Sequence, residues 1–429
     1  MAGALEGVKV LELTQIIAGP MCGVFLSDMG ADVVKVESPT GDAMRALGQF
    51  APHESKAFHV FNRGKRGIVI DLGTVDGQAV LHRLIPDFDV FLVNARPGVP
   101  ERIGVDYDTL RQHNPNLIYL DNTAYGPNGP SAHRAGADII AQAYSGLMAG
   151  DEKLDEYGGP DFITATTPAD FSAAWTSAMA VCAALYHRER TGEGQRIETS
   201  LLGGALTLQN AMVGRLPAID AILLDPVLQA IAEVKARGGS YRELIASRGG
   251  LRSLVGGAFL LYYGGYETAD GAIMLGCVTP ANQQQVRDAI ELGDDPTTAP
   301  DFNAMDPDSA VVVDAVRERI SSIFRSNTTA HWIERLDATG APASQVNLVE
   351  EIVDDPQVQA LNIMVDFEHA LTGPETAVGP AFRMSATPPS AQGPSPGLGA
   401  DTDEILAEHG FDTDEIAILR ANGAVGLND

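Results

Sequence analysis

The chain has 429 residues, with 29 Lys plus Arg against 57 Asp plus Glu and a formal charge of −28. Nucleic acids and anionic membrane surfaces both require a basic face, so neither is expected as a partner. Hydrophobic residues make up 45% of the sequence, no apolar run reaches the roughly 18 residues of a membrane span, and "MAGALEGVKVLELT" lacks a basic region followed by an apolar one. A cytoplasmic globular protein with room for two domains is therefore expected. Three widely spaced cysteines, Cys22, Cys182 and Cys277, lie in apolar surroundings and read as reduced packing residues. The acidity fits a salty habitat or solubility alone.

In chain order, "GVKVLELT" (7–14) alternates like a buried strand, and "AGPMCGVFLSDMG" (18–30) reads as a helix opening near Pro20 and stopped by Gly30. "ADVVKVE" (31–37) completes a β-α-β unit. Strands follow at "RGIVIDL" (66–72), "FDVFLVN" (88–94) and "LIYLDNT" (117–123), with helices through "GQAVLHRLI" and near "YDTLRQH". Strands alternating with helices predict an α/β fold with a mostly parallel sheet. Residues 140–213 turn helical and alanine-rich, with "IIAQAYSGLMAG" and "AAWTSAMAVCAALYHR" the plainest segments. Between about 225 and 345, a glycine-interrupted stretch, the strand "GAIMLGCV" and amphipathic helices near 311–325 and 328–340 predict a smaller α+β domain. The tail runs from a Pro- and Gly-rich arm into two short helical stretches.

The β-α-β opening invites a dinucleotide site, with Glu37 about 20 residues past the first turn. Its turn, "TQIIAGPMCG", lacks the three-glycine spacing that admits a pyrophosphate. No GxxxxGK[ST] or HExxH occurs, and the nine histidines show no metal-ligand spacing, so no metal is expected. Two basic clusters stand against the acidic background, "NRGKRG" (62–67) and "NARPGVPERIG" (94–104). Phosphate contacts and solvated loops both fit them. Asp170, in "TTPADFSAAW", also has two readings. An Asp near a helix start is commonly a cap or a first-turn charge. It would alternatively be a carboxylate nucleophile, forming an acyl anhydride or thioester in a site that excludes water.

Nine stretches in order resemble the family III CoA-transferases over essentially the whole chain: "GVKVLELTQIIAGP", "MGADVVKVE", "GDAMR", "NRGKRGIVIDL", "VNARPGVPERIG", "AQAYSGLM", "RERTGEGQRIETSL", "YETADG" and "LGADTDEIL". The resemblance implies a Rossmann-like large domain built from residues 1–224 and a C-terminal return at 346–429. With the small domain it implies a ring-shaped monomer in an interlocked homodimer. It further implies that Asp170 is the catalytic nucleophile, that a coenzyme A thioester and a carboxylic acid are the substrates, and that no prosthetic group is required. Coenzyme A positions carry over to Ile17 and Ala18, to Ile70, Asp71 and Leu72, to Asn94, Ala95, Arg96 and Arg102, and to Ala135, Gly136, Ala137 and Asp138. Departures occur as well. Ile17 and Ser38 stand where some transferases have Gln and Arg. The group's racemases have a His before Asp138 and a Glu at position 279, where this chain has Ala137 and Thr279. The glycine-rich lid of some members is split here into Gly249–Gly250 and Gly256–Gly257. Acyl transfer is thus the expected chemistry; racemisation and coenzyme A binding without catalysis are the alternatives.

Overall fold

The computed structural model describes residues 2–249, 256–303 and 309–427. Gly250 lies outside these, so the split glycine pairs are not described as a unit. Two compact units emerge: residues 1–153, 161–214 and 356–429 form one, and residues 154–160 and 215–355 the other.

In the larger unit, strands β1 (Lys9–Leu13), β2 (Asp32–Glu37), β3 (Arg66–Val69), β4 (Val90–Val93), β5 (Ile118–Thr123) and β6 (Arg196–Ser200) form one sheet. Their order is β3-β2-β1-β4-β5-β6, and every pairing is parallel. Side chains alternate between its faces. Leu11, Val34, Phe91 and Tyr119 enter one core with Leu81, Leu110, Ile405 and Phe411. Val10, Val33, Leu92 and Leu120 enter another with Cys22, Leu26 and Val181. These cores belong to helices on opposite faces: α1 (Ala18–Asp28) on the second, and α4 (Val75–Leu84) and α6 (Tyr107–His113) on the first, counting α2 (Ala43–Ala46), α3 (Lys56–Asn62) and α5 (Val99–Arg102) between them. The C-terminal helices Thr402–Glu408 and Thr413–Ala421 return to the first face. The result is a doubly wound α/β sheet.

Three departures from the sequence reading have local causes. The third strand stops at Val69; beyond it Ile70 still donates its N–H to the Glu37 carbonyl of β2 and forms a single antiparallel bridge with Val425. The predicted helix through "IIAQAYSGLMAG" breaks into α7 (Asp138–Ser145) and α8 (Leu147–Asp151) at Gly146, whose φ of +86° takes the chain into the left-handed region. β6, whose polar sequence RIETS falls within the stretch expected to be helical, is the sheet's edge and is only partly buried.

α9 (Pro168–Thr191) ends at left-handed Gly192 and packs on α1 and on α10 (Leu201–Leu208). The fit to α10 is close: a Cβ on Gly204 would lie 2.5 Å from Ser172 Oγ and 2.8 Å from the Ala173 nitrogen. The Pro- and Gly-rich arm lies against the larger unit. Its Ser390 N–H donates to the Asp28 carbonyl, and Gly64 N–H donates to the Pro394 carbonyl. All three cysteines are free, and Cys22 and Cys277 are buried.

The smaller unit contains an antiparallel sheet of β7 (Tyr263–Glu267), β8 (Ala272–Gly276) and β9 (Ala343–Gln345). Helices Ser309–Arg325 and Thr329–Thr339 cover it, with Phe324, Trp332 and Leu336 in the core. A separate hairpin, β10 (Met364–His369) with β11 (Gly373–Val378), belongs to the larger unit. Among the described residues no helix is long and apolar enough to cross a membrane.

Candidate active site

In an open parallel sheet, the loops after two neighbouring strands diverge where the strand order reverses, and ligands settle in the crevice left there. Here the reversal falls between β1 and β4. A cavity of about 490 Å³ occupies that place, walled by the segments following β1, β2, β3, β4 and β5.

A buried charged network supports its floor. Lys35, fully buried on β2, donates to the Thr14 carbonyl at 2.7 Å and lies 3.0 Å from Asp42. Burial alone would lower its pKa, but Asp42, Glu12 and Glu37 outweigh that and raise it. Lys65 is held by Glu12 at 2.7 Å, and burial brings it down to about 8. Asp42 accepts from the N–H groups of Ile16 and Met44, fixing the turn after β1. In that turn Ile16 has φ +72°, a rare and strained conformation for a β-branched residue. None of these buried pairs was singled out in the sequence, where Lys35 and Glu12 look like ordinary strand charges.

Of the residues carried over from the family resemblance, Ile17, Ala18, Ile70, Asp71, Leu72, Asn94, Ala95, Arg96, Gly136, Ala137, Asp138 and Asp170 line the cavity together. Arg102 and Ala135 do not; both are exposed beside it. Asn94 is engaged within the protein, accepting from Gln15 N–H and donating to Gln15 carbonyl, each at 2.8 Å. It ties the two diverging loops together. Arg96 and Arg102 have no ion-pair partner among the described residues despite the excess of carboxylates. Ser38, by contrast, bonds Thr40.

Asp170 is the third residue of α9 and only 6% exposed. The capping role considered for it belongs to Asp138, whose Oδ1 accepts from the N–H groups of Ala169 at 2.8 Å and Asp170 at 3.2 Å. Asp138 is itself oriented by Gln142, whose amide donates to Oδ2 at 2.5 Å. Thr167, at the usual capping position, makes no side-chain cap bond, and its buried hydroxyl has no partner. The Asp170 carboxylate likewise has no hydrogen-bond donor among the described residues. Ala18, Ala141, Ala169, Ala173, Leu201 and Ala205 form the apolar cluster beneath it. Burial first, and the Asp138 charge second, push its pKa up to about 7. The site thus presents a water-poor, unengaged carboxylate that is substantially ionised at neutral pH. Such a group is suited to nucleophilic attack on an activated carbonyl.

A neighbouring cavity of about 390 Å³ has a different character. Glu101, Asp106, Asp108 and Asp121 line it together with His133 and Arg196, and burial pushes Asp121 up to about 6.

Fold and site together define a doubly wound α/β protein with a buried, unbonded carboxylate at the switch point. CoA-transferase family III matches residues 5–402. The chain is 31% identical to the succinyl-CoA:mesaconate CoA-transferase of Haloarcula marismortui, over 96% of this chain and 98% of that protein. It is 32% identical to the succinate–glutarate CoA-transferase of Agrobacterium fabrum, over 94% and 95%. Among solved structures, Rv3272 from Mycobacterium tuberculosis superposes with a TM-score of 0.74 at 27% identity, covering 94% of this chain and 99% of that one. A CAIB/BAIF family protein from Brucella suis gives 0.71 at 27% identity, covering 95% and 100%. This chain belongs to CoA-transferase family III, a family of enzymes.

Proposed function

We propose that this enzyme transfers coenzyme A from an acyl-CoA to a free carboxylate through Asp170. The observation that carries the reading is the buried, unbonded Asp170 carboxylate facing the switch-point cavity. A carboxylate oxygen attacks the donor thioester carbon, the C–S bond breaks, and a mixed anhydride and coenzyme A thiolate result. The thiolate then attacks the aspartyl carbonyl, releasing the donor acid and leaving an aspartyl-CoA thioester. An acceptor carboxylate attacks that thioester, expels the thiolate again and forms a second anhydride. Thiolate attack on the acceptor carbonyl gives the new acyl-CoA and restores Asp170. No net proton is consumed.

Coenzyme A would lie along the loops at Ile17, Ile70–Leu72 and Asn94–Arg96, with its phosphates near Arg96 and Arg102. No prosthetic group takes part. The named relatives support succinyl-CoA as donor and a dicarboxylic acid as acceptor. Ala137, which borders the cavity, cannot act as an acid or base, and Thr279 caps the helix Pro280–Ala289. Both residues weigh against racemisation, which needs an acid and a base on opposite faces of the carbon. The proposal includes the interlocked homodimer: α9 leaves Trp175, Met179 and Tyr186 exposed, an apolar strip that a second copy would cover.

The direct test is loading with succinyl-CoA alone, followed by hydroxylamine trapping and peptide mass spectrometry. A hydroxamate on Asp170 is expected, together with loss of transfer by several orders of magnitude in folded Asp170→Ala and Asp170→Asn proteins. Near-normal transfer in either variant would overturn the mechanism.

A further inference from the structure

The cavity of about 390 Å³ beside the transfer cavity is bordered by two polar groups that no described residue satisfies. Tyr119 on β5 is 2% exposed, yet its hydroxyl makes no hydrogen bond among the described residues. The ring is held in place: it stacks on Phe91 with centroids 5.6 Å apart and tilts against Tyr107 at 5.7 Å. Two residues further along the same face of the strand, Asp121 Oδ1 is buried and also lacks a partner. Buried polar groups are rarely left in this condition, and each calls for a partner from outside the chain.

The charges define what that partner is. Glu101, Asp106, Asp108 and Asp121 border the cavity, and against them stand Arg196 and His133. Arg196, opposite Tyr119 on β6, is already shared, 3.0 Å from Glu198 and 3.4 Å from Asp121 Oδ2. The Thr109 N–H and hydroxyl engage Asp106 at 3.0 and 2.7 Å without cancelling its charge. The balance is negative. Burial first, with Glu198 and Glu101 adding to it, outweighs Arg196 and pushes Asp121 up to about 6, so its charge at neutral pH is only partly answered.

Ionised carboxylates only accept hydrogen bonds, so the occupant has to bring donors as well as positive charge. Among the described residues these oxygens are not drawn together as ligands of one metal ion. An ammonium group meets both needs, with three donors on a compact charge. Burial and the Asp121 charge keep the Tyr119 hydroxyl protonated, and its oxygen remains an acceptor for one of those N–H groups. The volume is that of a small-molecule site.

We propose that this cavity binds a small organic cation through its ammonium group, with Asp121 Oδ1 and the Tyr119 hydroxyl oxygen accepting from it and Glu101, Asp106 and Asp108 supplying the surrounding negative field. The site is separate from Asp170 and does not rest on the transfer mechanism. Ala95 and Thr123 wall both cavities, so the occupant borders the loop that carries Arg96.

The probe is putrescine, a short diamine, titrated calorimetrically into the full-length protein in about 0.15 M salt, which screens attraction to exposed surface charge. One saturable site per chain is expected. Tetramethylammonium, which carries the charge without an N–H, should not compete for it. Asp121→Asn should weaken binding about tenfold or more, the cost of a lost charged hydrogen bond. Tyr119→Phe keeps the ring and its packing and should weaken binding several-fold. Both variants should retain the parent circular dichroism, and Asp170→Asn should bind as the parent does. Absence of binding by the parent would overturn the proposal and leave a water-filled cleft. Weak, many-sited binding indifferent to both substitutions would overturn it too, as counter-ion attraction to an acidic surface.

Discussion

Asp170 sits against alanines and beside Asp138, and these two influences fix how its reactivity depends on pH. Its carboxyl is pushed up from the ordinary 3.8 to about 7, so the nucleophilic fraction grows as pH passes through neutrality. The rate of the first acyl transfer should fall about tenfold per pH unit below that value; a single-turnover rate flat from pH 5.5 to 8 would contradict it. Stability responds with the opposite sign. The folded state holds a proton that the unfolded chain has lost between about pH 4 and 7, so stability drops as pH rises across that window. Asp170→Asn should therefore melt higher than the parent at pH 8, the difference closing towards pH 4. A second residue-level expectation concerns Arg96, which faces the cavity without a carboxylate partner. Contacts to coenzyme A phosphates hold substrate and transition state alike. Arg96→Ala should raise KM for acyl-CoA by about tenfold, as loss of a charged hydrogen bond does, with kcat nearly unchanged; a drop confined to kcat would place it at the reacting carbonyl. Arg102→Ala should have the smaller effect, because Arg102 stands outside the lining.

At the scale of elements, the start of α9 is the decisive piece. Its first N–H groups are taken by Asp138 of α7, so Asp170 gains no hydrogen bonds from its own helix end and keeps a raised pKa. Asp138→Ala removes a negative neighbour and frees those donors. Both changes lower the Asp170 pKa, so the acid limb of the rate profile should move to lower pH, with a less nucleophilic carboxylate and a reduced plateau. An unshifted limb would show that Asp138 only caps, a role worth about 0.5–2 kcal/mol. This division of labour was not legible in the sequence, where an Asp three residues into a helix suggests that it serves its own helix. Apolar alternation and glycine stops did reveal β1, α1, β2, β4 and β5 within one or two residues, because buried parallel strands are nearly continuous apolar runs. β6 escaped because an edge strand need not be apolar, and "RIETS" gives no such run. The contact between His59 and Glu375 escaped for another reason: the two lie 316 positions apart, and only the fold of the C-terminal hairpin brings them together.

For the whole molecule, charge opposes the pairing proposed above. Each chain carries −28, and two such bodies in contact repel over the Debye length, about 10 Å at 0.1 M salt and 30 Å at 0.01 M. A dimer held only by an apolar patch such as Trp175, Met179 and Tyr186 would feel that repulsion most at low salt, and dilution there would split it. Interlocked chains behave differently. They separate only when one chain opens, so the dissociation barrier is an unfolding barrier, and salt acts on it through the stability of each chain. Sedimentation at nanomolar concentration should therefore show a two-chain particle both in about 0.02 M and in 1 M salt. Thermal unfolding should move upward with salt as self-repulsion is screened, and loss of the dimer should coincide with loss of helical circular dichroism at every salt concentration. A folded single chain appearing at low salt before any helix is lost would show an ordinary patch dimer, and would remove the interlocked arrangement while leaving the Asp170 chemistry untouched.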